Sequence, residues 1–350
     1  MEKVLIAMSG GVDSSAAAHL ILSKGYDAIG ATMTVTNGLF GNPDGLSEDA
    51  KMAAKICEML GIEHKVIDLC EEFKRHVVCD FVDRYLEGKT PNPCIVCNKN
   101  IKFGALLDEG KKLGCSMIAT GHYAKVEKDS SGRFLLKKAD DGTKDQSYML
   151  WTLSQEQLSR CIFPLGSLTK TEVREMAGEL TFENAEQKDS QDVCFIPNGD
   201  YAEFIKHFAS YTDKVGNYVD MQGNVLGKHR GIIHYTVGQR KGLGIALGQP
   251  MFVHSKNAAT NDVVLCKNEE LFSKTLTASN INLIACDKLD TPVKVCAKTR
   301  YHQIPAPATV IQTDANTIRV DFDEPVRAIS PGQSVVLYDG DTVIGGGFID

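Results

Sequence analysis

An apolar run, Val4-Leu5-Ile6-Ala7-Met8, passes directly into Ser9-Gly10-Gly11-Val12-Asp13-Ser14-Ser15. A helical pattern follows, with Ala16, Ala17, Leu20 and Ile21 at helical spacing and Gly25 as its stop. A short buried strand feeding a glycine turn that opens a helix leaves few folds available. Two adjacent glycines let the backbone wrap tightly with its N–H groups turned inward, and the helix N-terminus adds positive potential, so the segment forms a cradle for an anion. Ser9, Ser14 and Ser15 add hydroxyl donors. The lysine of a Walker loop is missing, so this is not the loop that grips a terminal phosphate for transfer. A glycine-rich turn with a Ser/Asp cap is the plainer use of the same residues.

The strand-and-helix rhythm continues. Ala28–Met33 reads as a second strand, Ser47–Leu60 as a helix closed by Gly61, and His64–Leu69 and Met117–Thr120 as further short buried strands. Such alternation predicts a parallel sheet covered by helices, with ligands bound beyond the carboxyl ends of the strands. Strand-like runs on either side of Ser130-Ser131-Gly132 predict an inserted hairpin, and Thr169 is placed to cap a helix over Lys170–Leu180. Beyond residue 200 glycines become frequent and β-branched residues alternate. The chain is expected to be α/β, with a Rossmann-like sheet domain over 1–202, a small central domain over 203–268 and a β-barrel over 269–350. Val293–Ala297, Ala308–Gln312, Thr317–Phe322 and Ser334–Tyr338 are expected strands of that barrel.

No apolar stretch has the length of a membrane span, and the run at Val4–Met8 is too short for a signal peptide, so a soluble cytoplasmic protein is expected. A net charge of −7 argues against an indiscriminate coat for nucleic acid. Residues 201–350, however, balance 15 Lys+Arg against 15 Asp+Glu, which leaves room for local RNA-binding patches. Lys228, Arg230, Arg240, Lys241, Lys298 and Arg300 could hold phosphates there, although solvated surface charge is the ordinary use of any one of them.

Eleven cysteines is an odd and high number, and their scattered positions do not read as a disulfide framework. Two segments stand apart. In Thr90-Pro91-Asn92-Pro93-Cys94-Ile95-Val96-Cys97-Asn98-Lys99 the prolines fix a turn, and a helix follows over Ile101–Leu113. A thiol at such a helix start, with Lys99 and Lys102 nearby, is expected to have a lowered pKa. A zinc site would need a second ligand pair, which the sequence lacks. A redox dithiol and an inert buried pair are the other readings. The second segment, Lys188 to Pro197, sets the single Cys194 between a polar run and the apolar pair Phe195-Ile196. Taken alone, it reads better as a buried structural cysteine.

Taken together, the motifs resemble a known family. The loop Ser9–Ser14 resembles the PP-loop of ATP pyrophosphatases, enzymes that cut ATP between its α and β phosphates. It is followed in order by Pro91–Asn98, Thr120-Gly121-His122-Tyr123-Ala124, Lys144-Asp145-Gln146-Ser147-Tyr148, Asp189 to Ile196, Ile233 to Gly244, Lys298-Thr299-Arg300-Tyr301 and Ser330-Pro331-Gly332-Gln333. In this order, over the full length, they resemble the tRNA-specific 2-thiouridylase (MnmA) family.

The resemblance implies an N-terminal domain like the adenine nucleotide alpha hydrolases and an ATP-dependent sulfurtransferase acting on a tRNA uridine. It implies that Ala7, Met8, Ser9, Gly10, Gly11, Val12, Asp13 and Ser14 hold ATP, with Met33 and Gly121 along the adenosine and Asp13 toward Mg²⁺. Cys97 matches the family's nucleophile and Cys194 its persulfide carrier. Asn92, Pro93 and Cys94 match the segment at the target base, and His122, Lys144, Asp145, Gln146, Arg300, Tyr301 and Gln333 match tRNA-contacting positions. A sulfur-donor protein, a cysteine desulfurase or a relay protein, is the implied partner.

Two departures stand out. Members often carry Asp where this chain has Cys94, and Lys-Asn-Trp where it has Thr34-Val35-Thr36. Two other functions fit the loop: a PP-loop synthetase adenylating a small carboxylate or amide without sulfur, and an ATP-sensing RNA-binding module that catalyses nothing.

Overall fold

The computed structural model describes residues 2–36, 47–180, 182, 184, 193–196 and 199–350. The chain divides into two compact units. One comprises Met1–Val77, Cys94–Gln191 and Asp341–Ile344, and the other Val78–Pro93, Asp192–Gly340 and Gly345–Asp350.

The first unit is built on β1 (Lys3–Ala7), β2 (Asp27–Thr34), β3 (Glu63–Asp68) and β4 (Met117–Ala119). A hairpin of β5 (Ala124–Lys128) and β6 (Phe134–Lys138) follows, then the two-residue β7 (Cys161–Ile162). The sheet order is β3-β2-β1-β4-β7, all parallel. Val4, Leu5 and Ile6 of the central β1 are fully buried, which is why this strand reads as a continuous apolar run instead of an alternating one. Each such side chain removed from water stabilises the fold by about 1.5–3 kcal/mol.

Helix α1 (Val12–Ser23) is buried along Ala16, Ala17, Ala18 and Ile21. Its run of alanines lets it lie close to its neighbours. It ends as the sequence predicts: Gly25 turns left-handed at φ +80° and donates its N–H to Leu22 O. Helix α2 (Glu48–Met59) is capped by the Ser47 side chain, which accepts from Ala50 N. The helix Lys170–Glu179 begins in a capping box formed by Thr169 and Glu172. Strand order reverses between β1 and β4, so a crevice opens where their carboxyl ends diverge, and the loop at Ser9 leads away from that point.

In the second unit, the helices Cys79–Leu86 and Tyr201–Phe208 share an aromatic cluster. Phe81 lies edge-on to Phe195 at 5.4 Å, and Phe195 to Phe204 at 5.3 Å. A four-stranded sheet of β8 (Gly216–Val219), β9 (Val225–His229), β10 (Phe252–Asn257) and β11 (Asp262–Cys266) runs β10-β11-β8-β9. The C-terminal strands are β12 (Phe272–Leu283), β13 (Val293–Lys298), β14 (Ala306–Asp314), β15 (Thr317–Arg327), β16 (Ser334–Asp339) and β17 (Thr342–Ile349). They run β12-β15-β14-β13-β16-β17, and a β12–β17 pairing closes the barrel. Along β15, Ile318, Val320 and Phe322 point inward while Arg319 and Asp323 face solvent, the period-two pattern of a half-buried strand. Among the described residues, no helix is long and apolar enough to cross a membrane.

Candidate functional site

The glycine–serine loop begins from a fixed platform. The Thr32 hydroxyl donates to Met8 O at 2.8 Å, and His64 Nε2 lies 2.9 Å from the same hydroxyl oxygen. Because the one hydroxyl proton goes to Met8, His64 must be the donor to Thr32. Burial pushes the His64 pKa down and favours its neutral form. Gly10 takes φ +75°, and a Cβ there would lie 2.4 Å from Asp49 O, so the residue is required by both conformation and space. Within the loop, the Ser14 and Ser15 hydroxyls donate to Gly11 O at 2.9 and 3.0 Å, and Ser9 N donates to Ser14 Oγ at 3.2 Å. The first N–H groups of α1 have no intrahelical acceptor, which makes this end of the helix an anion site. Asn184 is buried beside the loop and donates to Gly10 O and Ser15 Oγ.

Sequence reasoning missed the cation at this site. Lys170 Nζ reaches Asp13 Oδ1 at 2.7 Å and Oδ2 at 2.8 Å, across 157 positions of sequence. Its side chain is only 9% exposed. Tyr123 OH donates to Asp13 Oδ1 at 2.8 Å. The carboxylate is therefore held by an ammonium and a phenol. A positive charge sits beside the loop although the Walker lysine is absent from its sequence. The only sequence signal was the Thr169 cap that starts the helix carrying Lys170.

Met33 lies at the carboxyl end of β2 and Gly121 just past β4, both on the ligand side of the sheet. A Cβ on Gly121 would approach Asp13 C at 2.8 Å and Ser14 N at 2.9 Å, so the β4 loop packs bare backbone against the start of α1. Gly121→Ala is expected to displace that helix start and raise the KM for ATP by about tenfold or more, because misplacement of a binding loop by even an ångström is costly. An unchanged KM would contradict this packing.

Several residues matched to tRNA contacts serve the first unit's own structure. His122 is buried, bonds Thr120 Oγ1 through Nδ1 at 2.7 Å and packs against Phe103 and Phe163. Desolvation, with a smaller contribution from Lys102, holds its pKa well below the ordinary value and keeps the ring neutral. Asp145 is buried and accepts from Ala139 N, Ser147 N and Ser147 Oγ. Gln146 accepts from Tyr123 N at 3.0 Å, fixing the tyrosine that bonds Asp13. Lys144 is half-buried in the same loop.

Cys97 ends the short helix Pro93–Cys97 and is buried. Proline at the first helical position suits its fixed φ and missing N–H. Behind Cys97 the expected helix begins as a π-helix, Asn98–Ala105, before Leu106–Lys112, and Asn98 Nδ2 donates to Met149 O at 2.9 Å. Wide helical turns of this kind occur often at functional sites. Cys94 keeps an accessible surface, yet protein crowds its sulfur. Desolvation raises that thiol above its ordinary value more than Lys102 lowers it, so the depression expected of a thiol in this segment is not found at Cys94.

Cys194 belongs to the second unit and is exposed on a turn. The next two residues, Phe195 and Ile196, are buried at 1% and 4% exposure, and Phe195 is wedged between Phe81 and Phe204. The apolar pair thus anchors the turn while the thiol faces out. The preceding polar run, 188–192, lies outside the described residues.

In the same unit, Arg300 Nη2 donates to Val237 O, Ala328 O and Ser330 Oγ. Lys298 Nζ lies 5.7 Å over the Tyr301 ring. Gln333 Nε2 donates to Thr90 O at 2.6 Å. Asn92 is half-buried and Pro93 buried at the end of that segment.

A serine–glycine loop at the switch point of a parallel sheet, joined to a small sheet and a closed barrel, defines a nucleotide-binding α/β protein with two accessory β regions. Comparison with known proteins narrows this class. Residues 2–198 match the family model described as tRNA methyl transferase HUP domain, 202–267 the tRNA methyl transferase PRC-barrel domain and 273–349 the aminomethyltransferase beta-barrel domain. A protein of Clostridioides difficile named tRNA-specific 2-thiouridylase MnmA is 48% identical, covering 100% of this chain and 98% of the relative. Proteins of the same name from Acetivibrio thermocellus and Treponema denticola are 47% and 45% identical, each covering 99% of this chain and, respectively, 99% and 98% of the relative. The chain belongs to the tRNA-specific 2-thiouridylase MnmA family.

Proposed function

We propose that this protein is a tRNA-uridine 2-sulfurtransferase that adenylates the wobble uridine with ATP and replaces its 2-oxygen by sulfur drawn from a cysteine persulfide. The reading rests chiefly on one observation: the chain matches proteins named tRNA-specific 2-thiouridylase over its whole length at 45–48% identity, and it carries Cys97 and Cys194 in the two motifs that the chemistry needs.

The chemistry explains why both a nucleotide loop and two thiols are needed. A uracil carbonyl is a poor electrophile because its oxygen leaves badly. Transfer of AMP to that oxygen, with loss of pyrophosphate, turns it into part of a good leaving group. Ala7 to Ser14 would cradle the phosphates through backbone N–H groups and hydroxyls. Lys170 supplies the charge that the loop lacks, and Met33 and Gly121 border the adenosine. Mg²⁺ accompanies ATP. Asp13, in the first turn of α1, would help hold the ion at the pyrophosphate.

Sulfur arrives on Cys194 as a persulfide from a donor protein. Its terminal sulfur attacks the activated C2, and AMP departs with the oxygen. The Cys97 thiolate then attacks Cys194 Sγ. The S–S bond to the base breaks, its electron pair completes the thiocarbonyl, and a Cys97–Cys194 disulfide remains. The sulfane sulfur is reduced and the two cysteines are oxidised, so a dithiol reductant must restore the enzyme. Release of hydrosulfide from the persulfide by Cys97, followed by its attack on C2, leaves the same disulfide.

The wobble base is already single-stranded and can be splayed into a pocket, where Asn92, Pro93 and Cys94 would meet it. Lys144, Arg300 and Tyr301 are proposed to lie along the tRNA backbone. His122, Asp145 and Gln146 would act on tRNA through the loops they hold. Incubation with tRNA, ATP, Mg²⁺ and sulfide, followed by nucleoside mass spectrometry, should yield 2-thiouridine. ATP cleavage with an unmodified tRNA would overturn the reading and favour a synthetase for a small acid. Cys94→Ser is expected to leave at least about a tenth of the rate, since a thiol held protonated is a poor nucleophile. Complete inactivity would give Cys94 a chemical part.

A further inference from the structure

Thr90 is held on both sides by one turn of the barrel. Its N–H donates to Pro331 O at 2.9 Å, and its carbonyl accepts from Gln333 Nε2 at 2.6 Å. Gly332, between those two residues, takes φ +86°, and a Cβ there would lie 2.9 Å from Lys89 Cβ and 3.0 Å from Thr90 N. The barrel turn is itself fixed. Gly332 N donates to Ile349 O and Ile349 N to Gln333 O, both at 2.8 Å, and Arg300 Nη2 holds Ser330 Oγ at 2.9 Å.

The other side of the segment is held as well. Lys256 Nζ donates to Tyr235 O at 2.8 Å and approaches Lys89 O at 3.4 Å, with the Tyr85 ring 5.6 Å from the ammonium. Tyr85 stacks on Tyr201, in the helix whose Phe204 packs on Phe195 beside Cys194. The helix Cys79–Leu86 therefore runs from the anchor of the Cys194 turn to the clamped residues Lys89 and Thr90. Three positions later the chain enters the Pro93–Cys97 helix.

We infer that Gln333 is a positioning residue for sulfur transfer. Acting through the Thr90 carbonyl, it fixes the segment Lys89–Pro93, from which the chain runs on to Cys94 and Cys97, against the barrel turn. The barrel then takes part in the chemical step as well as in holding RNA. This rests on the sulfurtransferase reading above.

The side chain's geometry suits the task. The amide supplies an N–H at the end of two methylenes, and a carboxylate of the same shape cannot donate to Thr90 O. Gln333→Glu is therefore the sharpest probe. Gly332→Ala is an independent one, since it presses on Thr90 while leaving the amide in place.

The test is single-turnover thiolation at saturating tRNA, alongside the tRNA and ATP dissociation constants for each variant. Both variants are expected to slow the saturated rate by about tenfold or more while the two dissociation constants stay within about twofold, the signature of lost alignment at intact binding sites. A higher tRNA Kd at an unchanged saturated rate would make Gln333 a simple RNA contact. A loss of ATP binding in both variants would mean a general structural role. Either result overturns the inference. Cys97→Ser, run in parallel, separates this failure from that of the function itself: a Cys97→Ser enzyme that still thiolates removes the chemistry, whatever Gln333 does.

Discussion

Cys97→Ser and Cys194→Ser are each expected to reduce 2-thiouridine formation at least about a thousandfold, and the double variant to lose no more than either alone, because residues that act as one unit are not additive. ATP affinity should be unchanged in all three, since the loop that would bind it is built from Met8 to Ser15, Asn184, Gly121 and Lys170 without either sulfur. The two singles should differ in one respect. Incubated with a persulfide donor, Cys97→Ser should still take sulfur onto Cys194, while Cys194→Ser should take none at the active thiols. Serine can neither carry a sulfane sulfur nor form the resolving disulfide. Full activity in either single variant would remove that residue from the chemistry.

Lys170→Met should be nearly as severe, at an earlier step. The side chain is buried against Asp13 by two short contacts, with Tyr123 on the same carboxylate. Methionine keeps the stem and deletes the charge. AMP formation in the presence of tRNA is expected to fall at least about 100-fold, the usual cost of removing one group that stabilises charge developing in a transition state. Lys170→Arg should recover part of it by restoring the charge in another shape. Thiol chemistry offers the control: persulfide loading of Cys194 should proceed normally in Lys170→Met. If AMP formation survives the substitution, the lysine is only a structural partner of Asp13.

The parts legible in the sequence share a physical reason. The β1 run, the glycine turn and the α1 stop at Gly25 are local, each set by neighbours within one or two turns of chain. Thr169 announced its helix because a cap is made within three residues. The expected strands at 293–297, 308–312, 317–322 and 334–338 lie inside β13 to β16; inward and outward side chains alternate along β15, while β16 is a short run buried from Ser334 to Tyr338. β12 and β17, which close the barrel, were not singled out. β12 opens with four exposed residues in a row and holds no steady alternation, and Gly345, Gly346 and Gly347 give β17 no pattern to read.

The features missed in the site are long-range. Lys170 and Asp13 find each other across 157 positions, and no local pattern encodes that. His122 and Asp145 were matched to tRNA-contacting positions by their motifs alone, and their burial and internal bonds depend on partners that the motifs do not show. A thiol in the Cys94–Cys97 segment was expected to be acidic from the helix start and two nearby lysines; at Cys94 the shift is upward. Desolvation, which depends on what the fold packs around the sulfur, outweighs Lys102 and reverses the sign. The barrel's hold on Thr90 joins residues 243 positions apart.

The most direct measurement follows the two sulfurs through one turnover. Enzyme loaded with persulfide on Cys194 is mixed with tRNA and ATP in the absence of reductant, quenched and digested, and its disulfide-linked peptides are identified by mass spectrometry. The proposed chemistry requires a Cys97–Cys194 disulfide that appears in step with AMP and 2-thiouridine, one for one. Thiolated tRNA formed while Cys97 remains a thiol, or joined to Cys94 instead, would contradict it.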